Sequence, residues 1–172
     1  MMRIVSDFAN LHQHLADCYS HGEERGWEPW QSLQELANPP EAMVFSSDEM
    51  GMLLSLGNAD VFNSVLPIDM FHANFLNAFN RFFRLRNEIT DRIPPVNAGG
   101  GVIEGVVDGE LMRILQPRIM AANALADDML RQSGEHREEA EQAMNALHAL
   151  FTEKLGLTHR IEMVGPAQAQ AA

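Results

Sequence analysis

The chain is short of cysteine, lysine, tyrosine and long apolar runs, and each shortage excludes something. A single cysteine, Cys18, cannot build an internal disulfide framework, so a reducing compartment is expected. No stretch approaches the roughly 18 consecutive apolar residues of a membrane span. The opening MMRIVSDFANLHQHL meets Asp7 and two histidines where a signal peptide would have its apolar centre. Together these absences read as a cytoplasmic protein without a membrane partner. Lys154 is the sole lysine and arginine supplies the other cations, a usage attributed to the codon bias of a GC-rich bacterial genome. No G-K-[ST], no H-E-x-x-H and no nucleophile elbow occurs. No cofactor is expected, and enzymatic activity has no motif to rest on.

What is present is an ordinary globular composition with an unusual charge. At 46% apolar residues the chain is too hydrophobic for disorder, and 172 residues suffice to bury a core without staples. Asp and Glu number 24 against 12 Lys and Arg, a formal charge of −12. Such a surface repels phosphate, which disfavours direct nucleic-acid binding, and steers the molecule towards basic surfaces. The same charge also serves solubility.

Apolar spacing predicts a mainly α protein, a compact bundle of about five to seven helices with at most one small two-stranded β element. Val5, Phe8, Leu11, Leu15, Cys18 and Tyr19 predict a helix over 5–24, with Ser6 or Asp7 as cap. A second helix is expected over 28–37, stopped by Asn38-Pro39-Pro40. Met43-Val44-Phe45 reads as extended. Ser46-Ser47-Asp48 would cap a helix to Leu56, and a short helical stretch follows over 60–65. Residues 67–92 carry the broadest apolar face, with Phe71, Phe75, Phe79, Phe82 and Ile89, expected as the central buried helix.

Pro94-Pro95 and Gly99–Gly101 read as a hinge. The expected organisation is one domain over 1–164: an N-terminal helical section (residues 1–92), a hinge (93–101) and a C-terminal helical section (102–164), with a disordered tail over 165–172. Within the C-terminal section a strand over 102–107 is expected to pair with 159–164. A helix from Asp108 is expected to be kinked or restarted at Pro117. Ser133-Gly134 should separate it from a last helix over 135–155. No internal repeat and no coiled-coil heptad run is read.

Three constellations are candidates for function. His14, Asp17, Cys18 and His21 share one face of the first helix and comprise zinc-ligand types, although the spacing matches no standard zinc signature. Asp69 and His72, with His148, would furnish a ligand pocket with buried histidines. Glu135, Glu138, Glu139 and Glu141 crowd the start of the expected last helix and are candidates for a partner-facing surface. Arg81, Arg84 and Arg86, interleaved with Phe82 and Phe83, superficially suit nucleic acid, but with acidic neighbours on a net-negative chain a partner-facing or intramolecular ion-pair role is the better reading. Gly99, Gly101 and Gly105 are wrongly spaced for a dinucleotide loop. Ser46-Ser47-Asp48-Glu49-Met50-Gly51 after its short apolar run resembles a segment of plasmid antirestriction proteins. The likeness covers those few residues, and no site is carried over from it.

The expected function is an acidic helical interaction module that regulates or inhibits a basic, nucleic-acid-binding protein partner, encoded by a phage or plasmid. The alternative is a small-ligand-binding or enzymatic domain using His72 and His148. Self-association into a homo-oligomer stays open at this level.

Overall fold

A computed structural model of the chain describes residues 1–99 and 102–156. Its elements in order are α1 (Met2–Arg25), α2 (Pro29–Ser32), α3 (Ser47–Ser55), α4 (Ala59–Val65), α5 (Ile68–Thr90), β1 (Pro95–Gly99), β2 (Val102–Gly105) and α6 (Gly109–Leu155). The fold is mainly α, as the apolar spacing predicts. Three long helices form its body, and their register follows from side-chain contacts.

Along α1 and α6, Phe8 meets His136, His12 bonds Ser133 and Tyr19 bonds Asp127. Numbers rise on α1 as they fall on α6, so the two run antiparallel. Phe71 stacks on His136 and Glu88 pairs with Arg118, which makes α5 antiparallel to α6 as well. Asp7 and Phe8 meet His72 and Phe75, so α1 and α5 run parallel. The core between them is aromatic and aliphatic: Ile4, Val5, Phe8, Leu11 and Leu15 of α1, Phe75, Phe79, Phe82 and Ile89 of α5, and Leu115 and Met129 of α6 are buried in one cluster. Burying side chains of this size contributes roughly 1.5–3 kcal/mol each.

Helix α6 differs most from its expectation. It is one helix of 47 residues, about 70 Å at 1.5 Å per residue, running through both anticipated breaks. Its inward positions are Leu115, Ile119, Ala122, Ala126, Met129, Ser133, His136, Ala140, Ala143, Leu147 and Leu150, alternating by four and three residues. That seven-residue repeat keeps a single seam turned inward from Leu115 to Leu150, packed on α1 and α5 and, towards its C-terminal end, on α4. Ser133 and Gly134 do not break the helix, because their smallness lets α1 approach. Ser133 Oγ donates to the Leu130 carbonyl (2.8 Å) and accepts from His12 Nδ1 (2.9 Å), while a Cβ on Gly134 would stand 3.3 Å from the His12 ring. Pro117 lies on the exposed side, where its missing N–H and ring are tolerated.

Three further expectations are corrected. The second helix is a single turn, because tertiary donors take the carbonyls that would have extended it. Arg86 Nη1 donates to Leu33 O (2.8 Å) and His14 Nε2 to Gln34 O (2.7 Å), and Leu33 turns extended. Helix α1 begins at Met2 without a side-chain cap, so Asp7 lies in its second turn instead of capping it. Strand β2 pairs antiparallel with β1, inside the segment read as a hinge. The anticipated partner 159–164 and the tail 165–172 lie outside the described residues. By contrast, Ser46 caps α3 by accepting from Glu49 N, in keeping with its sequence signal, and Asn58 caps α4 by accepting from Val61 N, a role not read from the sequence.

Candidate functional site

His72 is fully buried on α5, and its partner is Asp7 of α1 instead of Asp69. His72 Nε2 lies 3.2 Å from Asp7 Oδ2, but the N–H points off the oxygen, so neither buried atom makes an aligned hydrogen bond. On the other side His72 Nδ1 accepts from Met43 N at 3.5 Å, and Phe8 packs edge-on at 5.5 Å. Burial raises the Asp7 carboxyl above its ordinary range, opposed by His72 and Arg3. Burial likewise lowers His72, opposed by Asp7. Desolvation thus favours the uncharged form of each.

Asp69 instead holds the segment before α3, its Oδ2 accepting from Phe45 N at 3.0 Å. His148 is half-buried on α6, twelve residues beyond His136, which stacks at the level of Phe71 and His72. That separation is about 18 Å along the helix. Neither of two clefts on the surface of the described residues gathers Asp69, His72 and His148 into a common lining. The structure therefore pairs one of the three pocket candidates with a residue not foreseen.

One cleft, of about 460 Å³, lies where α4, the start of α5 and the C-terminal half of α6 meet, with Asp60 and Glu139 among its lining. The other, of about 720 Å³, runs between α1 and residues 36–41 and contains Arg3, Asp7 and Glu41. Neither was visible in the sequence, because each is made by segments distant along the chain.

The four candidate ligands on α1 are engaged individually. His14 Nε2 donates to Gln34 O and lies 3.9 Å from Cys18 Sγ; Asp17 accepts from Gln13; His21 packs edge-on against Trp27. Cys18 is 7% exposed, and burial raises its thiol pKa, which favours the protonated form over the thiolate a metal requires. Among the described residues no group of three or more His, Cys, Asp and Glu side chains converges as a metal site. The arginine cluster divides in a comparable way: Arg86 turns inward to Leu33 O, while Arg81 and Arg84 remain exposed.

The acidic candidates lie on the solvent side of α6. From Asp127 to Gln142 that side exposes Asp127, Asp128, Glu135, Glu138 and Glu139 against one exposed cation, Arg131. Arg131 bridges Asp128 (3.1 Å) and Glu135 (2.8 Å), His136 Nδ1 lies 3.0 Å from Glu139, and Arg137 pairs loosely with half-buried Glu141 at 3.6 Å. Surface pairs of this kind are worth a few tenths of a kcal/mol and are screened by salt. They leave the face negative. Asp127 additionally accepts from Tyr19 OH at 2.7 Å, and burial followed by this carboxylate pushes the phenol pKa upward.

Among the described residues no helix is long and apolar enough to cross a membrane. No family model matches the chain, and no curated protein or solved structure matches it.

Proposed function

We propose that this protein is an acidic helical interaction module that binds a basic protein surface and thereby regulates or inhibits a nucleic-acid-binding partner. The observation that carries the reading is the solvent face of α6, with five exposed carboxylates against one exposed arginine over about four turns. The whole-chain charge of −12 adds long-range attraction to a cationic surface. The face is rigid, since one uninterrupted helix carries it, so its charges need no ordering on binding. It competes for the same cations that phosphate would occupy.

The test is capture from host lysate at low and high salt, with the wild-type chain beside a variant carrying Glu135→Gln, Glu138→Gln, Glu139→Gln and Glu141→Gln. A basic protein retained by wild type at low salt, released at high salt and missed by the variant supports the reading. Capture that is indifferent to salt or to the four substitutions contradicts it.

A second reading rests on the larger cleft, where Asp7 is backed by buried His72. A small ligand there would meet the partly exposed Asp7 carboxyl beside Arg3, while its Oδ2 stays buried against His72. Amine-bearing fragments that shift Asp7-region amide resonances in wild type, and lose that effect in Asp7→Asn, would favour this reading over the first.

A further inference from the structure

The smaller cleft has the composition of a docking groove. Its floor and walls are Val61 of α4, Pro67, Ile68 and Phe71 at the start of α5, and Ala143 and Ala146 of α6. The cause is local. Helix α6 presents alanines at 143 and 146 where α4 gives way to α5 across Leu66-Pro67, so three helices meet around side chains too small to fill the junction. The space left open, about 460 Å³, faces solvent broadly and is large enough to seat one side chain. Asp60 and Glu139 stand in the lining and no Lys or Arg does, while Glu138 and Glu135 continue the negative charge along α6.

From this we infer that the groove receives an apolar side chain from a basic segment of the partner, a leucine- or phenylalanine-bearing stretch flanked by arginine or lysine. The inference rests on the interaction-module reading and specifies the chemistry of its partner. The apolar anchor removes Val61, Phe71 and the alanines from water, and the flanking cations meet Asp60 and Glu139 at the mouth. Charge alone attracts any cationic surface; the groove selects among them, because a segment without the anchor leaves the cleft unfilled. An acidic segment is repelled from the mouth, and a purely apolar one forgoes the carboxylates.

The probe is a short labelled helical peptide of arginine and alanine with central leucines, compared with a counterpart whose leucines are replaced by glutamine. Binding is followed by fluorescence anisotropy. The leucine peptide is expected to bind about tenfold tighter or more, the advantage expected from burying one leucine side chain. Ala146→Phe fills the groove and should abolish that advantage while keeping the weaker, salt-sensitive binding of the glutamine peptide. Ser64→Trp fills it from the opposite wall and serves if Ala146→Phe melts below wild type. Asp60→Asn with Glu139→Gln should weaken both peptides. Equal affinity for the two peptides, or an advantage untouched by both filling variants, overturns the groove and leaves the acidic-face reading standing. Binding of neither peptide overturns both. A dimer of this chain that Ala146→Phe dissociates would assign the groove to a second copy and overturn the inference.

Discussion

Asp7 has the side chain and the position of a helix cap, yet the fold uses it as the neighbour of a buried imidazole. Its effect on stability follows from which state holds the proton. Burial lowers His72 below its ordinary 6.5, so on acidification the unfolded chain takes up the proton first. The stability tied to neutral His72 is complete above about pH 6.5 and is lost as pH falls through that value. Asp7 acts in the opposite sense, because its raised carboxyl is protonated earlier in the folded state, and its contribution grows as pH falls towards 3.8. The urea midpoint of wild type should therefore drop between about pH 7.5 and 5.5, and drop less in His72→Gln. Equal drops would show that His72 is not buried in its neutral form. Gly22 offers a second residue-scale check. A Cβ there would stand 2.6 Å from Ser32 Cβ, so Gly22→Ala must push α2 away and should cost about 1–3 kcal/mol. At Gly51 of α3 a Cβ meets nothing within 4 Å, and the same exchange should stabilise by about 0.5–1 kcal/mol. Chemical denaturation of the two variants side by side reads both signs.

At the scale of elements, α6 is where local signals and the fold disagree. Pro117 and Ser133-Gly134 are ordinary helix breakers, but the seam from Leu115 to Leu150 packs against the neighbouring helices, and that burial outweighs local preference. The repeat was hard to see because alanine, serine and histidine occupy positions where a coiled coil would show leucine. Helix α3 was legible from its cap, and α1 and α5 from their apolar stripes. Helix α2 was not, because Arg86 and His14 act on it from elsewhere in the chain. The same distinction runs through the candidate site. Glu135, Glu138, Glu139 and Glu141 are visible in sequence, whereas the Asp7–His72 pair joins residues on two different helices and the groove needs three. Continuity of α6 makes a sharp prediction. Pro117→Ala restores one N–H donor inside an existing helix and should raise stability by about 2 kcal/mol by chemical denaturation. An unchanged or lower stability would mean that the helix is interrupted there.

For the molecule as a whole, charge and shape act together. A net charge of −12 on a frame of three long helices places carboxylates along one stiff edge, with an apolar groove near the C-terminal half of α6. Attraction over a Debye length of about 8 Å at physiological salt brings a cationic partner to this edge. If the acidic face occupies the partner's nucleic-acid surface, protein and nucleic acid must exclude one another. Displacement reads this directly: the captured basic partner is loaded with labelled nucleic acid, and this protein is titrated in at several salt concentrations. The nucleic acid should be released, with displacement weakening steeply as salt rises and lost in the variant with all four glutamates changed to glutamine. A ternary complex that keeps its nucleic acid, or displacement that salt and the substitutions leave unchanged, would contradict mutual exclusion at the acidic face.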